Sequence, residues 1–310
     1  MKKIFKVNLY FLVILIIEIL APLLLRPFYI KIGLLDTRLI LLFNHIILFL
    51  LPAIIYLLLT KSSFKETLKL NKLELKNILL IILLAFIVQP IMTFFSLIST
   101  FFFNNEIGAF ITEITSTPYI LLLALVALLP AITEEITIRG IVLSGYDDKN
   151  KYVAAIITGL FFGILHLDPQ QFLYATVLGF IMALAVRITN SIFASMIIHF
   201  IVNGTSVTMA KIANYVTKAL SVSNETTELT LKNISYSEKI TLVIIYGSIA
   251  IIFAAISFAI IYALEKINSK KKVEDVGIST VACNNKNERI INIPFILSII
   301  LYIVIMIRTV

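Results

Sequence analysis

Apolar residues run through this chain in blocks long enough to cross a bilayer, separated by short polar connections. The blocks fall near residues 7–25, 39–59, 78–103, 118–145, 152–167, 170–186, 190–213, 240–263 and 291–308, against the roughly 17 to 25 residues that a membrane-spanning helix needs. Two of the nine are short. Backbone polar groups in lipid must be satisfied within the segment, so blocks of this length predict helices. The expected fold class is all-α, a polytopic transmembrane helix bundle of eight or nine spans. No internal repeat of the kind that builds the two halves of a transporter is visible.

The polar stretches set the organisation. Lys2, Lys3 and Lys6 precede the first block, no small-residue cleavage pattern follows it, and Glu18 interrupts it, which predicts a retained helix rather than a signal peptide. With the N-terminus inside, 17 of the 26 basic residues fall in inner connections and 8 in outer ones, with Arg139 inside a helix. That bias predicts a cytoplasmic N-terminus, in the cell (plasma) membrane. Residues 61–77 alternate lysines with Phe64, Leu68, Leu70, Leu73 and Leu75, as an interfacial segment does. The tract near 265–290 is polar and lysine-rich, which predicts a flexible cytoplasmic loop and leaves the last helix peripheral. Three regions follow: N-terminal helices at 1–117, a core at 118–213 and C-terminal helices at 214–310.

Composition narrows the class. The chain is 60% hydrophobic and 14% charged, with a mean hydropathy of +1.02, outside the range of a soluble domain of 310 residues. The net charge of +8 describes loop orientation and contact with anionic headgroups in the lipid bilayer, so nucleic acid is not an expected partner. Cys283 is the only cysteine, which excludes an intrachain disulfide and a cysteine metal site. The Asn224-Glu-Thr pattern is read as chance.

Candidate chemistry begins with three ionisable residues where lipid is expected: Glu134, Glu135 and Arg139. Each costs about 2.5–3.5 kcal/mol near the middle of a membrane helix, so the cluster demands partners or a wet cavity. Glu135 and Arg139 are four apart with the acid first, the favourable order for an ion pair. Glu134 projects about 100° away and is left without a cation, suited to general acid or base work. Phe162 and His166 share a helix face in a later block, and so do His199 and Asn203. Counted from the inner connections, Glu134, His166 and His199 lie roughly 18, 22 and 18 Å deep, so the three are expected to meet near mid-bilayer. Two readings remain open from the residues alone: an ion-pair network that fixes helix packing, or a hydrolytic site. His45 is expected to pack or hydrogen-bond, Glu18 and Gln89 to bond neighbouring helices, and Pro90 and Pro130 to kink or break theirs.

Taken together, Glu134-Glu135-Ile-Thr-Ile-Arg139, Phe162-Gly-Ile-Leu-His166 and His199-Phe-Ile-Val-Asn203 resemble the motifs of the CAAX prenyl protease type II and bacteriocin-processing (CPBP, or Abi) intramembrane proteases. The likeness spans residues 118 to about 205. It implies that Glu134 with His166 activates a water, that His199 and Asn203 stabilise the oxyanion, that Glu135 and Arg139 organise the site, and that Phe162 packs against it. The implied substrate is a hydrophobic or lipidated peptide or protein, prenylated CAAX-type or bacteriocin-related. The implied cofactor is either none, the reading favoured here, or Zn2+ on Glu134, His166 and His199. A non-catalytic scaffold or immunity protein of the same fold and an ion-coupled transporter are the competing classes.

Overall fold

The computed structural model describes residues 2–219, 234–275 and 288–309; Cys283 and the Asn224 pattern lie outside them. Among the described residues the protein is helical throughout, with no strand. Seven helical stretches are long and apolar enough to span: Lys3–Lys31, Thr37–Thr60, Leu75–Thr100, Tyr119–Val142, Pro169–Thr189, Phe193–Thr217 and Tyr236–Ser269. Lys151–Leu165 and Ile293–Ile307 are shorter apolar helices. The nine coincide with the nine apolar blocks of the sequence, and the fold is an all-α polytopic bundle.

Helix α1 is Lys3–Lys31. The second span comprises α2 (Thr37–His45), a π turn at Ile46–Leu50 and α3 (Leu51–Thr60). After the single turn α4 (Phe64–Thr67), α5 (Leu75–Ile87) and α6 (Gln89–Thr100) form a third span broken at Val88, just before Pro90. Helix α7 (Glu106–Glu113) leads to the fourth span, built from α8 (Tyr119–Leu123), a π turn at Ala124–Leu128, α9 (Leu129–Glu135) and a second π turn at Ile136–Val142. Two of these three π turns end two residues before a proline, Pro52 and Pro130. A proline ring collides with the carbonyl four residues back and cannot donate to it. Widening the preceding turn to i→i+5 bonds, such as Leu129 N–H to Ala124 O, relieves the collision without ending the span.

Helices α10 (Lys151–Leu165) and α11 (Pro169–Thr189) pack more closely than any other pair because glycines face each other. A Cβ at Gly159 would lie 2.8 Å from both Phe180 N and Thr176 O, and one at Gly163 would lie 2.1 Å from Thr176 Oγ1. The contact at Gly159 is with backbone, which cannot rotate aside. Gly159→Ala is therefore expected to destabilise the protein by about 1–3 kcal/mol through overpacking, read as a lower melting temperature in detergent. Gly204→Ala, whose Cβ would find its nearest neighbour at 3.6 Å, should leave that temperature unchanged or raise it.

Helix α12 (Phe193–Ala219) follows a tight turn, α13 spans Tyr236–Asp275 and α14 spans Ile293–Thr309. The polar tract read as a loop from Glu265 is helical as far as Asp275. Its Glu265 pairs with Lys151, and Asn268 exchanges amide hydrogen bonds with Asn77, so this end of α13 is held to α10 and α5. Nor is the last helix peripheral. Phe11, Phe161 and Phe295 form a run of ring contacts from α1 through α10 to α14, and Tyr302 stacks on Phe172 of α11.

The segment after α4 packs against the turn between α11 and the next helix. Leu68 is buried where it would collide with any side chain at Gly140. The Lys69 carbonyl accepts Ile192 N–H at 3.1 Å and Ser191 Oγ donates to Asn71 O at 2.6 Å. Asp147 gathers Lys69 Nζ and Arg187 Nη1, each at 2.9 Å. These contacts tie the α11–α12 turn to the end of the span that carries Glu134.

Candidate active site

Three spans bring the candidate residues together. Glu134, Phe162, His166, His199 and Asn203 line one cavity of about 610 Å³, while Glu135 and Arg139 sit behind it with no exposed surface. The cavity also takes Glu18 from α1, His45 from α2 and Gln170 from α11.

The buried layer is organised by Arg139. Its Nη1 donates to Glu135 Oε1 at 2.8 Å, Nη2 donates to the Gly179 carbonyl at 3.3 Å, and Cζ lies 4.2 Å from the centre of the Phe162 ring. One guanidinium, held by an ion pair within its own span, thus joins the fourth span to α11 by a backbone hydrogen bond and to α10 by a cation–π contact. Glu135 has a second partner that the i, i+4 spacing could not reveal: His199 Nδ1 lies 2.9 Å from the same Oε1. A carboxylate can only accept, so Nδ1 carries the hydrogen. The opposite nitrogen of His199, Nε2, points toward Glu134, with Oε2 at 4.0 Å.

His166 stands at the end of α10, and Leu167, in the left-handed region at φ +48°, turns the chain directly after it. Its Nδ1 donates to the Phe162 carbonyl at 2.7 Å, which leaves the lone pair of the neutral ring on Nε2. The Phe162 ring stands edge-on to both imidazoles, at 4.8 Å from His166 and 5.6 Å from His199. One aromatic ring therefore spaces the two histidines.

Asn203 owes its orientation to Pro130. The Val126 carbonyl would meet the residue-130 N–H in an ordinary helix, and proline has none. Asn203 Nδ2 donates to that carbonyl at 3.2 Å, and an amide nitrogen retains a second hydrogen for another acceptor. Glu134 lines the cavity, and its Oε2 is buried without a hydrogen-bond partner. The arrangement offers a carboxylate oxygen in need of a donor, the Nε2 atoms of two imidazoles and an amide N–H around one space.

Sequence reasoning placed His45 among packing or hydrogen-bonding residues. It does hydrogen-bond, Nδ1 to Thr133 Oγ1 at 2.9 Å, but it also faces the cavity. Gln89 bonds a neighbouring helix as expected, reaching Thr205 Oγ1 at 3.2 Å. Glu18 Oε2 instead has no partner. No local pattern marks His45 or Glu18 as cavity residues.

A zinc ion on Glu134, His166 and His199 requires three donor atoms to converge. Among the described residues no three His, Cys, Asp or Glu side chains do so. Two donors on one tetrahedral zinc at 2.0–2.2 Å lie roughly 3.3 Å apart, and His199 Nε2 and Glu134 Oε2 are wider than that. The residues do not fit a zinc ion in this arrangement.

Residues 116–205 match the family model of the type II CAAX prenyl endopeptidase, Rce1-like. This segment is Rce1-like. It contains every one of the seven motif residues from Glu134 to Asn203, in agreement with the CPBP resemblance. No curated protein and no solved structure matches the chain. The Rce1-like segment supplies three walls of the cavity, and Glu18, His45 and the α6 and α7 side chains that close it come from outside the matched residues.

Proposed function

We propose that this protein is an intramembrane endopeptidase that hydrolyses a peptide bond of a hydrophobic or lipidated substrate, prenylated CAAX-type or bacteriocin-related, using water activated by Glu134 and His166. The observation that carries the reading is the unpartnered Glu134 Oε2 facing the cavity while its neighbour Glu135 is neutralised by Arg139. A water held between Glu134 and His166 Nε2 loses a proton to the carboxylate as its oxygen attacks the peptide carbonyl carbon. The oxyanion that forms accepts hydrogen bonds from Asn203 Nδ2 and from His199, which Glu135 holds in place from behind. Glu134 then returns the proton to the leaving amine as the C–N bond breaks. On this reading the protein lies in the plasma membrane with its N-terminus in the cytoplasm.

The test is cleavage of a prenylated CAAX peptide and of hydrophobic leader peptides by the purified full chain, with and without a strong chelator. Cleavage is expected to persist in chelator, because the donor atoms do not converge as a metal set. Loss of cleavage in chelator with recovery on added zinc overturns the metal-free step. Cleavage of none of the peptides favours a non-catalytic scaffold.

A further inference from the structure

The cavity wall carries two carboxylates and no lysine or arginine. Glu134 is one of them, and the proposed reaction uses it. The other is Glu18, in the middle of α1 and outside the Rce1-like segment. Its Oε2 is shielded from solvent, accepts no hydrogen bond, and has no ion-pair partner among the described residues. It also lies within electrostatic reach of Glu134, so a negative charge on one carboxyl opposes a negative charge on the other.

An unpartnered carboxyl oxygen among apolar helices costs free energy that a leucine would not. The neighbouring turns of α1 show what the packing alone prefers, since Ile14 and Leu15 are completely buried. Glu135, by contrast, has Arg139 and His199 as partners, and Glu134 is the carboxylate that the proposed reaction uses. For Glu18 no compensating charge is present among the described residues, and Glu18 lines the open space of the cavity. Leu41, Phe49 and Met92 line the same cavity, and apolar walls of this kind accommodate the methylene stem of a lysine whose charged head reaches a carboxylate.

We propose that Glu18 is a substrate-binding residue that receives a cationic side chain, lysine or arginine, of the peptide entering the cavity. The inference rests on the protease reading for its biological sense, and it adds a charge requirement to a substrate otherwise chosen for hydrophobicity. Because Glu18 stands outside the matched segment, the preference belongs to this chain's N-terminal helices and not to the motif residues.

The experiment uses two fluorescent leucine- and alanine-rich peptides, identical except for one central lysine or norleucine. Binding is measured to full-length Glu134→Gln protein and to the same protein carrying Glu18→Gln, so that hydrolysis does not enter. The lysine peptide is expected to bind about tenfold or more tightly than the norleucine peptide, as a charge-assisted hydrogen bond provides, with the ratio falling to near one after Glu18→Gln. Equal binding of the two peptides with Glu18 present, or a lysine preference that survives Glu18→Gln, overturns the proposal. Failure of the protease reading looks different: the lysine preference is present, and the protein with Glu134 intact cleaves neither peptide.

Discussion

Glu134→Gln is expected to lower the turnover of any cleaved peptide by about 10³- to 10⁴-fold, at the upper end of what a general base contributes, with no loss of thermal stability. The amide has the shape of the carboxylate but cannot take a proton from water. No structural partner is lost, because Glu134 Oε2 makes no hydrogen bond within the protein and its nearest imidazole nitrogen is 4.0 Å away. The check pairs steady-state cleavage with melting curves in one detergent. Full cleavage by the purified variant would remove Glu134 from the reaction. A large fall in melting temperature would make it a packing residue, as the alternative ion-pair network requires.

Arg139→Ala should behave in the opposite way, with a loss of about 3–5 kcal/mol in stability, the cost of stranding one partner of a buried ion pair. Three contacts fail at once: the ion pair to Glu135, the hydrogen bond to the Gly179 carbonyl, and the cation over Phe162. Glu135 then keeps its charge in a site with no exposed surface, and its hold on His199 Nδ1 is disturbed. Activity falls along with stability. Replacing both partners, Glu135→Gln with Arg139→Met, should recover much of the stability without restoring activity, since no charge is stranded but His199 lacks its carboxylate. Arg38→Ala is the control. Its partner Asp36 is one-third exposed and the pair is solvated, so removal should leave the melting temperature nearly unchanged. Equal melting temperatures for the Arg139→Ala and Arg38→Ala proteins would refute the account of Arg139.

The parts of the site legible in the chain are those governed by short separations. The Glu135–Arg139 ion pair and the Phe162–His166 contact both follow from four-residue spacing on a helix, and both are present. The Gly159–Gly163 spacing was equally open to inspection as a close-packing signal, although hydropathy does not draw attention to it. The helical end of the polar tract was missed for a related reason. Charge density suggested a loop from Glu265, whereas Lys151 and Asn77, more than a hundred residues earlier, supply the partners that hold it as helix.

Sequence by itself determined the positions of the long apolar helices, because lipid leaves an apolar backbone segment no alternative way to satisfy its hydrogen bonds. It also determined which polar residues are out of place there, since each carries a cost that composition makes visible. Only the tertiary structure decided the partners. His199 bonds Glu135 across 64 positions, Asn203 bonds a carbonyl that Pro130 leaves free 77 positions earlier, and Glu18 and His45 join a cavity whose motif residues begin more than eighty positions later. Helical periodicity tells which way a side chain faces along its own axis. What stands opposite depends on how the helices cross, and that is settled by contacts such as Gly159 against the backbone of α11, with no counterpart in local spacing.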